Sequence, residues 1–322
     1  MKIMAISVVR YKKKDGAVVW GVLTQDHVAE LNTTFATTAD LIKYGYSTIA
    51  EEAKKSTLIH ALKDIELLNP VTTPTQVICQ GANYKQHMID SGMDPDAKNF
   101  NMFFTKSTAS ITEPTGQIVK PTHVQLLDYE IELTLVLGKN THSAVQVTKS
   151  NLHEYVAGIC IGNDISARDV QIPETQFYKG KSYRTFCPLG PVLCLLAPED
   201  IHYLDKLNLC LKVNGQVRQQ DSTANMVFKP AETLTEFSEV TDFNIGDVLL
   251  TGTPSGCALG LPSPLLVKLA YLMPEEKRWA FFKKGQGKRS QYLKIGDVIE
   301  SNIQSADGKI NLGIQRHTVT MG

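Results

Sequence analysis

Within Leu127-Asp128-Tyr129-Glu130-Ile131-Glu132-Leu133, two glutamates alternate with apolar residues. A β-strand has period two, so Glu130 and Glu132 point to one face and Ile131 and Leu133 to the other. Adjacent carboxylates repel, and burial raises their pKa unless a cation compensates; a divalent ion resolves that conflict. On a solvated strand face the pair would be ordinary surface. The unbroken apolar run through Leu137 argues instead for a strand covered on both faces. Asp164, after the strand-like run Gly158 to Ile161, supplies a third oxygen ligand. Three carboxylates suit Mg²⁺ or Mn²⁺, with Ca²⁺ a further candidate and waters or substrate completing the shell. Zinc fits less well, because neither Cys nor His sits at ligand spacing here.

A second cluster lies upstream in Gln80-Gly81-Ala82-Asn83-Tyr84-Lys85-Gln86-His87-Met88-Ile89-Asp90. If a helical turn begins near Asn83, His87 and Asp90 are three apart and share a face. An imidazole held by a carboxylate is a general base near neutral pH. The plain alternative is a surface histidine beside a surface aspartate.

These residues need strands to position them. Met4–Val9 and Val18–Leu23 flank Asp15-Gly16, a hairpin signal, and Asn214-Gly215 and Asp307-Gly308 mark two more. Thr38 to Leu62 has helical spacing of apolar residues. The proline-rich stretch Leu67–Pro74 reads as a connector, placing a small β-rich N-terminal domain at 1–70 and a main domain at 74–322. Strands are predicted at Gln76–Cys79, Ile131–Leu137, Val192–Leu196, Leu207–Val213, Val248–Leu250, Val298–Ile303 and Ile310–Ile314, with helices over Ser150–Ala157 and Thr233–Glu239. The expected class is therefore α+β and β-rich.

Composition narrows the function. The 322 residues carry 33 Lys+Arg and 33 Asp+Glu, so no overall field favours nucleic acid as a partner. No run reaches the ~18 apolar residues of a membrane span. The N-terminus has the wrong order of charge and apolar residues for a signal peptide. The six cysteines are scattered without a Cys-x-x-Cys pair, which points to buried reduced thiols and a cytoplasmic address.

Seven motifs then occur in one order: Asn83-Tyr84-x-x-His87, Asp128-Tyr129-Glu130-x-Glu132-Leu133, Asn163-Asp164-x-Ser166-Ala167-Arg168-Asp169-x-Gln171, Gly180-Lys181-Ser182, Pro188-Leu189-Gly190-Pro191, Val213-Asn214-Gly215 and Thr251-Gly252-Thr253-Pro254. The set resembles the fumarylacetoacetate hydrolase family over 74–322, and the preceding segment resembles the N-terminal β domain of many members. The resemblance implies a mixed β-sheet roll and a homodimer. It also implies Glu130, Glu132 and Asp164 as metal ligands and His87 as the histidine of a water-activating dyad. Arg168, Gln171 and Lys181 would hold substrate oxygens, Lys181 with a catalytic share, and Thr253 would contact substrate. Phe104-Thr105-Lys106 resembles a family strand to which no role is assigned.

Two departures stand out. Asp90 occupies a position where the acylpyruvase-like branch carries Glu, one methylene longer; a shift of about an ångström can cost ~100-fold in rate. Where the family it resembles usually has a short loop after the Thr253 turn, this chain has the stretch 255–292. It contains Leu259-Gly260-Leu261-Pro262, the apolar run Leu265 to Met273, and the basic residues Lys277, Arg278, Lys283, Lys284, Lys288 and Arg289. It reads either as a solvated excursion or as a subunit contact or active-site rim. Gly285-Gln286-Gly287 inside it is no nucleotide loop, because no strand leads into it.

The expected function is a metal-dependent C–C hydrolase of β-diketo, acylpyruvate-type acids. The diketone would be held as a metal-bound enolate while His87, supported by Asp90, activates water. The runner-up is an isomerase or decarboxylase of small 2-oxo acids, since fold does not choose among these reactions. A catalytically silent binding protein would be expected to lose the ligands or the histidine, and all are present.

Overall fold

Period-two alternation and glycine turns produce the strands. In this computed structural model, which describes residues 5–98, 100–260, 270 and 272–322, Ile6–Lys12 and Val18–Thr24 form the first hairpin. Asn214 and Gly215 both take positive φ, 52° and 77°, as a two-residue hairpin turn between Leu207–Val213 and Gln216–Ser222 requires.

The larger sheet is mixed. Its order is Ile59–Ala61, His27–Glu30, Val18–Thr24, Ile6–Lys12, Val192–Leu195, Val156–Asn163, Ile131–Leu137, Val248–Leu250, Val77–Gly81 and Met102–Lys106, with Glu66–Leu68 paired beside Ile6–Lys12. Val8 faces Leu193 across the ladder, so the segment before residue 70 shares this sheet with the main segment. A five-stranded sheet runs Gln216–Ser222, Leu207–Val213, Val298–Ser305, Asn311–Met321, Thr115–Lys120. Neither sheet closes on itself, and the architecture is the strand-rich α+β roll expected.

Strand Ile131–Leu137 is buried at all seven positions. Ile131, Leu133, Leu135 and Leu137 pack into one core cluster, while Val136 joins Cys79, Cys160 and Leu250 in another. Both faces are covered, so a carboxylate carried by this strand cannot reach bulk water.

Three local expectations change. The helix predicted over 38–62 is two helices, Thr38–Tyr44 and Tyr46–Lys55, because Gly45 at φ 94° ends the first and begins the second. Thr37 caps the first in a capping box with Asp40. Ile59–Ala61 instead pairs with His27–Glu30, so sheet pairing overrides helical spacing. The helix over 150–157 shrinks to Leu152–Tyr155 because Val156 enters a strand, and the helix near Thr233 extends over Pro230–Val240. Of the inserted stretch, Glu275–Gln286 is helical. Residues 261–269 and 271, with most of the apolar run Leu265–Met273, lie outside the described residues.

Candidate active site

The ends of four neighbouring strands meet at one point. Glu130 immediately precedes Ile131–Leu137, and Asp164 immediately follows Val156–Asn163. The antiparallel register sets Ile131 opposite Asn163 and Glu132 opposite Gly162. That pairing brings Asp164 beside Glu130, and the Asp164 N–H donates to the Glu130 carbonyl at 2.8 Å. Ligand oxygens of Glu130, Glu132 and Asp164 lie within 4.8 Å of one another, all buried.

Val248–Leu250 leads into Thr251-Gly252-Thr253-Pro254. Gly252 has φ 85°, and a Cβ there would sit 2.8 Å from the Asn83 Cβ. Only glycine lets this turn approach so closely, and its N–H donates to Glu132 Oε2 at 2.7 Å. Val77–Gly81 leads through Asn83, whose side chain donates to the carbonyls of Thr251 and Phe228, into helix Lys85–Asp90 carrying His87.

Cations brace the carboxylates. Lys106, buried on strand Met102–Lys106, pairs with Asp164. Lys181, at the end of helix Phe177–Lys181, donates to Glu130 at 2.8 Å and to Asp164. Arg168 pairs with Glu130, donates through Nε to Asp128 at 2.8 Å and through Nη1 to Gln171 Oε1 at 2.8 Å. Burial opposes the charge on Glu130, but Arg168 and then Lys181 outweigh it and hold this carboxyl well below the usual range. Glu132 differs: burial, then the charges of Asp164 and Glu130, push its carboxyl well above that range. Among the described residues, no cation pairs with Glu132. A hard dication held by all three carboxylates would relieve this repulsion, so the donor set fits a divalent, oxygen-seeking ion.

His87 is half-buried, and burial lowers its pKa from the ordinary histidine value, with Glu130 opposing the shift. It lines a cavity of about 160 Å³ with Glu130, Glu132, Arg168, Gln171, Lys181 and Thr253. Asp90, on the same helix as His87, faces an adjoining cleft that His87 also lines. Its exposed carboxylate accepts from Ser255 and, at 2.8 Å, from Gln86. Among the described residues no hydrogen bond joins His87 to Asp90. The Thr253 hydroxyl donates to the Ile131 carbonyl at 2.8 Å and accepts from Gln219 Nε2 at 2.8 Å.

Sequence reasoning assigned no role to Lys106, Asp128 or Gln219. Asp128 accepts from Arg168 and from the N–H groups of Ala258 and Leu259, tying the guanidinium to the inserted loop. Gln219 stitches the Ile131 N–H to the Thr253 turn. A lysine at the end of the apolar strand Met102–Lys106 was a readable signal, since Lys106 shares a strand face with the cavity-lining Met102 and Phe104. Gln219 gave none, because nothing local marks a buried amide on an otherwise polar strand.

Residues 76–320 match the family model for the fumarylacetoacetate (FAA) hydrolase C-terminal domain. The chain is 37% identical over 229 residues to "Oxaloacetate tautomerase YisK" of Bacillus subtilis, covering 68% of this chain and 74% of the relative. It is 36% identical over 207 residues to the human "Oxaloacetate tautomerase FAHD2A, mitochondrial", covering 64% of each. Among solved structures, a "probable 2-hydroxyhepta-2,4-diene-1,7-dioate isomerase" from Mycobacterium abscessus superposes with TM-score 0.73 at 29% identity, over 99% of both chains. No helix among the described residues is long and apolar enough to cross a membrane. The collinear motifs, the roll that gathers them and these matches agree: the chain belongs to the fumarylacetoacetate hydrolase family.

Proposed function

We propose that this protein is a keto–enol tautomerase of a small 2-oxo dicarboxylic acid, moving a proton without cleaving the carbon skeleton. The observation that carries the reading is one cavity of about 160 Å³ lined by the His87 imidazole, the Lys181 ammonium and the Arg168 guanidinium beside Glu130 and Glu132. The tautomerase and isomerase names of similar proteins support it. Hydrolysis, the leading expectation from sequence, would need His87 to draw a proton from water with Asp90 behind it. The Asp90 carboxylate is bonded to Ser255 and Gln86 instead.

Glu130, Glu132 and Asp164 would hold the divalent ion, which when bound supplies a Lewis acid for negative charge at the 2-oxo oxygen. His87, kept neutral by burial, takes a proton from the methylene carbon next to the 2-oxo group. The same ring then returns it to the oxygen to give the enol. Lys181 commits two of its three N–H donors to Glu130 and Asp164, leaving one for a substrate oxygen. Arg168 adds fixed positive charge where the enolate develops. Asp90 acts as a positioning residue, fastening the His87 helix to Ser255. The six unpaired thiols, with burial pushing Cys160, Cys187 and Cys194 up to about 12, fit a reducing cytoplasmic setting. A homodimer completes the proposal.

The test is proton–deuterium exchange at C3 of oxaloacetate in D₂O with Mg²⁺, followed by NMR together with product analysis. The expected result is exchange above the uncatalysed rate with the skeleton intact. Faster release of CO₂, or cleavage of an acylpyruvate without C3 exchange, would overturn the reading.

A further inference from the structure

Beyond His87 the cavity continues into a wider cleft of about 530 Å³; His87, Ser91 and Leu259 line both spaces. Two guanidinium groups line the cleft, Arg218 on strand Gln216–Ser222 and Arg289 on the inserted stretch. Asp90 is the single carboxylate among its described lining residues, and both Asp90 oxygens already accept hydrogen bonds. The cleft is therefore net positive, and neither arginine makes an ion pair among the described residues.

Arg218 Nε is buried without an acceptor. Buried polar groups are normally hydrogen-bonded, and a guanidinium that lines a cleft with no acceptor on its Nε and no ion-pair partner among the described residues suits an anionic ligand. The wall behind it is closely packed. A Cβ at Gly256, which has φ 111°, would meet the Arg218 carbonyl oxygen at 2.0 Å, so the loop after Thr253 lies directly on the Arg218 backbone. Arg289 is held by its Nε donating to the Ala258 carbonyl at 2.7 Å. The Gln286 side chain, at the end of helix Glu275–Gln286, accepts from the Tyr292 hydroxyl at 2.8 Å and exchanges hydrogen bonds with the Gly260 backbone. The described ends of the insert, residues 255–260 and 289–291, thus line the cleft beside the reaction cavity and present the Arg289 guanidinium to it.

We propose that this cleft binds the distal carboxylate of a 2-oxo dicarboxylic acid longer than four carbons, with Arg218 and Arg289 as specificity-determining residues. The proposal rests on the 2-oxo acid reading of the reaction cavity. With the 2-oxo end beside His87, the rest of the substrate chain leads into the cleft, where the planar guanidinium forks match a carboxylate.

The test compares 2-oxoadipate with 2-oxohexanoate, equal in length but lacking the second carboxylate, with Mg²⁺ and by two readouts: C3 exchange and calorimetric binding. The wild-type protein is expected to prefer the dicarboxylate about 10–100-fold, mainly in KM and in Kd. R218M and R289M are each expected to cut that preference about tenfold. Arg289 is exposed, so R289M reads the subsite independently of folding. Exchange with a preference indifferent to both arginines overturns the subsite and leaves the tautomerase reading standing. An arginine-dependent preference in Kd without exchange sustains the subsite and overturns the tautomerase reading. Absence of both binding and exchange overturns both.

Discussion

Asp164 lies against Glu130 because its backbone N–H closes the antiparallel ladder on the Glu130 carbonyl at 2.8 Å. The carboxylate cluster is thus a product of strand register. A one-residue slip of Val156–Asn163 would turn its side chains to the opposite face and dismantle the triad.

Glu132 carries the least compensated charge of the three, and its removal separates metal binding from folding. E132Q is expected to abolish the Mg²⁺-induced rise in Tm, worth about 2.7 kcal/mol at a hundredfold excess over Kd for the wild-type protein. Without metal the variant should be at least as stable as wild type, since the repulsion from Asp164 and Glu130 is gone. Thermal unfolding with EDTA and with Mg²⁺ measures both, and an undiminished Mg²⁺ shift would refute the ligand assignment.

Lys106 and the metal address the same carboxylate. K106M leaves Asp164 with Lys181 as its cation partner and should cost about 3–5 kcal/mol in EDTA, the range for breaking a buried pair. Mg²⁺ should recover part of that loss. A variant as stable as wild type in EDTA would show that the Lys106–Asp164 pair carries no stability.

His87 and Asp90 are expected to respond unequally. H87N should lower C3 exchange by about 10²–10⁴-fold while preserving the Mg²⁺-dependent Tm shift. D90N, which removes a positioning contact to Ser255, should cost less than about tenfold. Equal, large losses in both variants would show that His87 and Asp90 act together as a dyad. The wild-type exchange also has a pH signature. Because burial lowers the His87 pKa, wild-type exchange should hold as pH falls to the ordinary histidine value of 6.5 and decline only below it.

Acid should destabilise the fold through the same histidine and through His317, which is buried with its ring nitrogen 2.9 Å from the Glu113 carbonyl. Burial lowers both pKa values below 6.5. The unfolded chain therefore binds protons first, and stability falls as pH drops through 6.5. Urea midpoints at pH 7.5 and 5.5 check the sign; H317N should flatten the difference between them.

Much of the site was legible locally. The period-two placement of Glu130 and Glu132 and the apolar run through Leu137 together indicated buried paired carboxylates, and the strand is buried throughout. The hairpin at Asn214-Gly215 followed from the positive φ that both residues accept. The helix across Gly45 was misread because helical spacing in 38–62 coexists with a strand whose partner, His27–Glu30, lies far back in the chain. Asp90 was legible as a neighbour of His87, but the approach of Ser255, 165 residues away, was not.

What the sequence determined by itself was therefore the inventory: acidic residues on one strand face, an imidazole after a strand, hairpins, and a neutral chain with unpaired thiols. Each of these depends on backbone period or on chemistry within a few residues. The tertiary structure alone decided which groups touch. Sheet register set Asp164 beside Glu130, the roll carried Lys106 to Asp164, and the loop after Thr253 drew Ser255 onto Asp90 and Gly256 onto the Arg218 backbone. Those contacts join residues remote in sequence, and only the packing of the whole roll brings them within a few ångströms.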